Sequence, residues 1–297
     1  MRIGYQYTNI TLSNKNINIL KLKSYSDKKF EATVKANLQY LKEVLKYNID
    51  SKIYLFRIST DIIPFASDPA CKFKWKDKFK RELNDLGEYI RANDIRIMMH
   101  PYHFVILNTD KKNILDSSVR ELAYLTEFMD SLKLDSTAKI QVHVGDVYKN
   151  REESIRRFVS NYQNLDRPIK NRLIIENDEK YSLSECLSIN KIAGMPLAFD
   201  YFYHKVNCSI NSLEDSFRLF IETWSPKDGT PIVDYSSQKY GEKKGKHSST
   251  INLNDFSKNI LNMAKDFKFD IMLEIRDKER SARKAINLAK KMNIPVK

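Results

Sequence analysis

Histidines and carboxylates close six short apolar segments of this 297-residue chain. They are His100 in MMHP, His143 in VHVG, Glu176 in IIEND, Asp200 in AFD, Asp234 in IVDY and Glu274 in MLEI. A single histidine or aspartate at such a place is more often a hydrogen-bonded structural residue or a helix N-cap. Six in equivalent places are much harder to explain in that way, so we interpret them as one functional group.

Divalent metal ions are the chemistry that these residue types favour. Four carboxylates that faced one another would repel and raise their own pKa values unless cations neutralised them. A ligand set that mixes imidazole with carboxylate suits Mn²⁺, Zn²⁺ or Fe²⁺ better than Ca²⁺. A carboxylate at the centre can bridge two ions, which is what two-metal phosphodiester chemistry requires.

The segments that carry these residues are rich in β-branched residues, and we predict that they are buried parallel strands. The eight predicted strands are 2–7, 53–58, Arg96–Met99, Lys139–His143, Leu173–Glu176, 196–200, 231–234 and 270–274. Helical spacing recurs at 30–45, 79–90, 119–132, 152–165, 184–193, 213–224, 253–265 and 278–291.

Strands that alternate with helices in this way predict an α/β fold, a (β/α)8 TIM barrel in one domain over residues 1–297. In a barrel the strand ends converge on one rim, where catalytic residues sit. A doubly wound open sheet stays a rival, because counting strands does not exclude it. No GxGxxG follows the first strand, so a dinucleotide-binding version is unsupported.

Charge favours a polyanionic partner. Lys and Arg total 51 and Asp and Glu total 38, which gives a net charge of +13. The loop after the seventh predicted strand holds Lys239, Lys243, Lys244 and Lys246 and ends in His247. Beside an acidic metal site, such a loop is a candidate phosphate track.

The cysteines and the N-terminus bear on location. Cys71, Cys186 and Cys208 form no CxxC pair and no disulfide framework. The N-terminus MRIGYQYTN is not an apolar signal segment, and no run is long and apolar enough to span a membrane. We therefore expect a cytoplasmic protein without a membrane partner; separately, we expect it to be a monomer.

Several motifs occur in an order that resembles the ultraviolet-damage endonucleases. From Gly4 to Glu279 they are GYxxxN, FRIS with IPFAS, MHP, QVHVG, IENDE, the stretch from Asp200 to Lys205, DYSSQ with GEKKGKH, and MLEIRDKE. IENDE and IPFAS are quite specific, whereas MHP alone is weak. The resemblance implies a TIM barrel like that of endonuclease IV, with up to three ions that are commonly manganese. It also implies nicking of damaged double-stranded DNA immediately 5′ of pyrimidine dimers and other lesions, which leaves a 3′-hydroxyl and a 5′-phosphate.

The same resemblance assigns roles residue by residue. His100, His143, Glu176, Asp200, Asp234 and Glu274 match the ligands of the first two metals, with Glu176 as the bridge, and His247 matches a ligand of the third. We expect Glu176, His100 and Asp234 to form the catalytic centre. The expected DNA and lesion contacts are Tyr5, Asn9, His103, Phe104, Lys243 and Lys244.

This sequence departs from the family pattern at three places. Asp68 stands where the family usually has histidine after IPFAS. Tyr203 stands where a third-metal histidine is expected, and His204 follows it. Ile232 stands where some members carry a lysine that can be modified. We therefore expect two intact metal sites, with Mn²⁺ or Zn²⁺, and a third site that is weak or empty.

Other functions fit part of the pattern. A sugar isomerase or epimerase shares the barrel and its rim of histidine, glutamate and aspartate, but it does not need a basic surface. A non-catalytic lesion-binding protein would not need all six ligands. An apurinic-site endonuclease is a near neighbour that the sequence does not separate from a dimer-directed enzyme.

Overall fold

Eight parallel strands form a closed barrel in chain order, β1 to β8, in the computed structural model. The structure describes residues 1–12, 17–148, 150–207, 212–239, 241–243 and 245–297. The strands are β1 Ile3–Gln6, β2 Leu55–Ile58, β3 Arg96–Met99, β4 Lys139–His143, β5 Leu173–Glu176, β6 Leu197–Asp200, β7 Ile232–Tyr235 and β8 Asp270–Leu273. The predicted TIM barrel is confirmed, and the open-sheet alternative is wrong because β1 also pairs with β8.

The described helices pack around this barrel. They are α1 Asp27–Asp50, α2 Trp75–Lys78, α3 Lys80–Ala92, α4 Lys112–Ser131, α5 Arg151–Gln163, α6 Arg167–Arg172, α7 Leu183–Ala193, α8 Tyr201–Val206, α9 Leu213–Ile221, α10 Leu253–Asp255 and α11 Glu279–Lys291. The predicted helix at 253–265 is instead a short α-helical turn, a π-helix at Phe256–Leu261 and a 3₁₀ turn at Met263–Lys265.

Local sequence explains where α7 begins and ends. Ser182 accepts a hydrogen bond from the backbone N–H of Glu185, whose carboxylate accepts one from the Ser182 N–H in return. This reciprocal pair satisfies two backbone donors that a helix start leaves free. Gly194 ends the helix with φ of 67°, a left-handed conformation that costs glycine little. The helix is thereby aligned between β5 and β6, which carry Glu176 and Asp200.

The barrel interior is layered, because alternate residues of each strand point inward. The end at which the strands begin holds buried charged side chains, among them Arg96, Lys139 and Asp270. Above them lies an apolar layer, which we call the plug: Leu55, Met98, Ile174, Ala198, Ile232 and Met272. Two residues further along these strands come Arg57 and the predicted metal ligands of β3 and β5–β8. Ile232 therefore packs in the plug below the rim.

Two further predictions concern disulfide bonds and membrane-spanning segments. Cys71 and Cys186 are free thiols, while Cys208 lies outside the described residues. In the described part of the chain, no helix has the length and apolar character needed to cross a membrane.

Candidate metal centre at the barrel mouth

The mouth of the barrel, where the strands end, opens into a cavity of about 600 Å³. Five of the predicted metal ligands line this cavity or lie beneath it. They form two groups of three residues that share one member. In the first group, one ligand atom each from His100, His143 and Glu176 lie within 4.8 Å of one another. In the second, the same holds for Glu176, Asp234 and Glu274. Glu176 belongs to both groups.

Specific distances define the first group. Nε2 of His100 lies 3.5 Å from Oε2 of Glu176, and Nδ1 of His143 lies 3.7 Å from that same oxygen. His143 Nδ1 is also 3.2 Å from Oδ2 of Asp178, a residue of the IENDE motif to which the sequence analysis gave no role. Nδ1 of His143 therefore faces two carboxylates, those of Glu176 and Asp178.

Several buried polar atoms at the mouth have no hydrogen-bond partner, which bears on whether these residues suit a metal ion. Oδ1 of Asp234, Oδ2 of Asp200 and Nδ1 of His100 are buried without a hydrogen-bond partner. Such atoms are costly unless something else satisfies them. Imidazole nitrogens and carboxylate oxygens together are also a donor set that suits first-row divalent ions. The residues therefore fit the expected ions.

The two carboxylate oxygens of Asp200 have different surroundings. Its Oδ1 accepts a hydrogen bond of 2.7 Å from the backbone N–H of Tyr203, so it caps the start of α8. Its other oxygen is buried and unpartnered. Asp200 lies outside both three-residue groups, although the same carboxyl can cap a helix with one oxygen and coordinate with the other.

Arg57 is a central residue that the sequence analysis missed. Its side chain has no solvent exposure, and its guanidinium pairs with Glu274 and, at 2.9 Å, with Asp234. Gln141 accepts from Arg57 at 2.9 Å and donates to Glu176 at 2.6 Å and to Asp234 at 2.5 Å. Arg57 and Gln141 therefore hold three of the predicted ligands in fixed orientations. Because side chains alternate along a strand, Arg57 on β2 and Gln141 on β4 point into the barrel. This alternation is the sequence feature from which their inward position could have been predicted.

Electrostatics at the mouth reflect an excess of buried negative charge. Burial and the neighbouring carboxylates of Asp234 and Glu274 raise the pKa of Glu176 to about 8. Burial likewise raises the pKa of Asp200, with Glu176 adding to the effect. Burial opposes a lowered pKa at Glu274, but Arg57 outweighs it and holds that pKa below its usual value.

The two histidines of the first group differ. Burial opposes a charge on His143, but Glu176 and Asp178 outweigh it and raise its pKa to about 9. Burial, and then the charge of His143, lower the pKa of His100 well below its ordinary value. One imidazole therefore favours the cation and the other the neutral form.

The expected third metal position has few histidines around it. His247 lines the cavity together with Tyr203, and their ring centres are 5.9 Å apart. His204 instead packs on Phe199, with ring centres 5.0 Å apart, and it does not line the cavity. Asp68 accepts a hydrogen bond from the Ala70 N–H within its own loop.

Tyr5 and Asn9 do not lie where the sequence analysis expected DNA contacts. Both side chains are fully buried. The Tyr5 hydroxyl donates to Asn48 of α1 at 2.7 Å and accepts from Asn9 at 2.9 Å. On β1, Gly4 and Gln6 alternate toward the barrel interior, so Tyr5 points into the layer between strand and helix. We therefore exclude these two residues from the proposed DNA contacts.

The predicted lesion probes occupy an exposed part of the mouth. His103 lines the cavity, with its ring centre 5.4 Å from that of His143. Phe104 is 49 % exposed and stacks on Tyr102, which is 51 % exposed and was not predicted. The hydroxyl of Tyr102 donates to Asp61, which fixes one edge of this aromatic patch, Tyr102–Phe104.

The lysine-rich loop is partly neutralised from within. Glu242 pairs with Lys239 at 3.1 Å and with Lys246 at 2.9 Å. Among the described residues, the exposed ammonium of Lys243 has no ion-pair partner, whereas Lys244 lies outside the described residues. The carbonyl of Lys243 accepts from Gln238 at 2.9 Å, which anchors its backbone.

A closed parallel barrel with histidines and carboxylates gathered at its mouth defines the class: a TIM barrel whose rim is suited to divalent ions. Residues 2–294 match the model of the family described as UV-endonuclease UvdE. The UV DNA damage endonuclease of Clostridium perfringens (strain 13 / Type A) is 39 % identical over 297 residues, which cover 99 % of this chain and 72 % of that protein. The chain therefore belongs to the UV-endonuclease UvdE family.

Solved structures agree with this assignment. The crystal structure of SacUVDE superposes with a TM-score of 0.93 at 39 % identity, over 99 % of this chain and all of that one. Endonuclease IV from Thermus thermophilus shares the fold, with a TM-score of 0.56 at 13 % identity over 98 % of each chain.

Proposed function

We propose that this chain is a metal-dependent DNA repair endonuclease. It nicks the phosphodiester 5′ of ultraviolet photoproducts and other lesions and leaves a 3′-hydroxyl and a 5′-phosphate. The observation that carries the proposal is the pair of ligand groups sharing Glu176 at the mouth of a UvdE-family barrel. The family match favours this function over a sugar isomerase or a pure lesion binder.

Six residues would hold two divalent ions, with Mn²⁺ preferred and Zn²⁺ as the alternative: His100, His143, Glu176, Asp200, Asp234 and Glu274. Such ions supply Lewis-acid polarisation of the scissile phosphate and stabilise its leaving oxygen. His247 offers one donor for a further ion, but Tyr203 is a poor ligand beside it, because burial raises the pKa of its phenol further above the ordinary value.

The chain's own contribution begins with orientation. Arg57 and Gln141 fix Glu176, Asp234 and Glu274, so little rearrangement is needed when the site is used. Preorganised groups of this kind are worth more than mobile ones, because their cost is met in folding. Asp178 gives His143 a second carboxylate neighbour and so restrains the ring.

Recognition is assigned to the exposed side of the mouth. A lesion lowers the cost of unstacking, so damaged nucleotides can leave the helix. The aromatic patch, Tyr102–Phe104, offers flat faces on which an exposed base can stack. Lys243 and the other lysines of its loop offer charge for the phosphates.

Nick mapping on defined duplexes tests the proposal. Duplexes with a single pyrimidine dimer, a single abasic site or no damage are incubated with the protein and Mn²⁺, Zn²⁺ or EDTA. We expect a nick immediately 5′ of the dimer with a ligatable 3′-hydroxyl, and no product in EDTA. Preference for the abasic duplex alone would favour the apurinic-site endonuclease. Failure to cut any damaged duplex with either ion would refute the nuclease.

A further inference from the structure

Two residues with Cβ atoms adopt left-handed backbone conformations side by side at the barrel mouth. Tyr7, directly after β1, has φ of 68°, and Lys278, directly before α11, has φ of 48° and ψ of −118°. Lys278 follows Asp277 in a turn that the Arg280 N–H closes on the Asp277 carbonyl at 3.0 Å. Its angles are those of the second position of a type II′ turn, where glycine is preferred. Backbone strain of this kind clusters at functional sites.

The side chain of Lys278 faces the functional site. Its ammonium lies over the ring of Tyr7, 5.6 Å from the ring centre, and Tyr7 lines the cavity. Burial lowers the pKa of Lys278, and the charge of Glu274 opposes this effect. In the described part of the chain, this ammonium has no ion-pair or hydrogen-bond partner, whereas Glu274 is already paired with Arg57.

We propose that Lys278, seated on Tyr7, binds a backbone phosphate of the DNA strand that crosses the mouth. The inference rests on the proposed function and adds a contact that the lysine-rich loop does not provide. The Tyr7 ring holds the ammonium by a cation–π contact and removes part of its water. Burial raises the pKa of the Tyr7 phenol to about 12, so it stays a neutral donor beside the same phosphate.

The chain offers a matched control. Lys133 also has a positive φ, 55°, and is exposed, but it follows α4 at the opposite end of the barrel. Glycine at either position removes one positive charge and relieves one left-handed residue. Only Lys278→Gly removes a charge from the mouth.

The test measures affinity of the Mn²⁺-loaded protein for a dimer-containing duplex with a non-hydrolysable linkage 5′ of the dimer, at several salt concentrations, so that binding is separated from cleavage. Each phosphate contact contributes about 0.9 to the slope of log affinity against log salt. We expect Lys278→Gly and Lys278→Gln to have slopes shallower than the parent by about 0.9. Lys278→Arg and Lys133→Gly should keep the parent slope. We also expect the thermal midpoint of Lys278→Gly to equal or exceed that of the parent.

The outcomes separate the two proposals. A parent slope retained by Lys278→Gln and Lys278→Gly, while the parent nicks damaged DNA, overturns the phosphate contact alone. A lowered thermal midpoint in Lys278→Gly together with an unchanged slope would assign Lys278 a structural role instead. A parent that neither binds nor nicks damaged duplex overturns this inference and the proposed function together.

Discussion

At the end of the barrel where the strands begin, buried charges face partners of opposite sign, whereas at the mouth the Arg57 guanidinium pairs with only two of four carboxylates, Asp234 and Glu274. Lys139 pairs with Asp228 at 2.7 Å, and Arg96 pairs with Asp270 at 3.0 Å. At the mouth, one buried oxygen of Asp200 and one of Asp234 lack a hydrogen-bond partner. The first arrangement suits stability, and the second leaves charge for a ligand to neutralise. Substitutions at the two ends should therefore have opposite effects on folding.

The largest effect is expected at the paired end. Lys139→Met leaves Asp228 as an uncompensated buried charge and should lower the free energy of unfolding by about 3–5 kcal/mol. Urea denaturation measures the loss. The double variant with Asp228→Asn should recover much of it, because the unpaired charge is gone. A single variant as stable as the parent would show that this pair is not what stabilises its end of the barrel.

At the mouth, Glu176→Gln should raise the free energy of unfolding, in contrast to Lys139→Met. It removes one of four mutually repelling carboxylates, so metal-free protein should gain at least about 1 kcal/mol in free energy of unfolding. Nicking with Mn²⁺ should fall by more than about 100-fold, beyond what loss of an outer orienting group costs. Glu179→Gln, beside the same cavity but outside both ligand groups, is the control. Near-normal nicking by Glu176→Gln would contradict its place as the bridge.

Within the mouth, the aromatic patch should affect DNA recognition, whereas the carboxylates should affect metal binding. The double variant His103→Ala, Phe104→Ala should keep its metal content and thermal midpoint. Its preference for damaged over undamaged duplex should fall about tenfold or more, because base stacking on such rings is worth about 1–3 kcal/mol. Competition binding measures the preference. If the variant discriminates as strongly as the parent, lesion recognition lies elsewhere.

Acid should weaken the paired end selectively. Burial alone would raise the pKa of Asp228, but hydrogen bonds from Lys139 and Ser225 outweigh burial and hold this pKa below the ordinary 3.8. A lowered folded-state pKa contributes stability above the unfolded value, and this stability is lost as pH falls through the folded pKa. The difference in unfolding free energy between the parent and Asp228→Asn should therefore be constant from about pH 7 to 5 and shrink below about pH 4. Urea midpoints across that range provide the measurement, and a constant difference down to about pH 3 would argue against it.

The smallest effect concerns the third metal position. We expect the parent to retain two Mn²⁺ per chain after dialysis, because a neutral phenol at Tyr203 is a weak donor. Tyr203→His adds an imidazole near His247 and should raise the retained metal above two equivalents. Tyr203→Phe is the matched control. Three full equivalents in the parent would refute the expectation.

The sequence predicted the barrel and its rim because both follow from local rules. Strand alternation and strand ends place His143, Glu176 and Asp200 without knowledge of tertiary contacts. Arg57 and Gln141 were missed because a polar residue inside an apolar strand does not itself reveal which partners it meets across the barrel. Tyr5 was placed on the DNA by resemblance, although alternation with Gly4 and Gln6 points it outward, under α1.

Loop geometry was the least predictable part. His204 and Tyr203 are adjacent in sequence, yet only the short helix α8 decides that one packs on Phe199 and the other lines the cavity. The strained turn at Lys278 likewise follows from how β8 joins α11, and the motif MLEIRDKE carries no sign of a positive φ.

The plug of Leu55, Met98, Ile174, Ala198, Ile232 and Met272 has a kinetic consequence. It closes the barrel from below with an apolar layer one side chain thick, so ions that the proposed enzyme binds would reach the carboxylates and leave them through the mouth. In the proposed enzyme, DNA lies across that same opening. Ions must then load before the duplex arrives, and once the duplex is bound their exchange with solvent has to wait for its release.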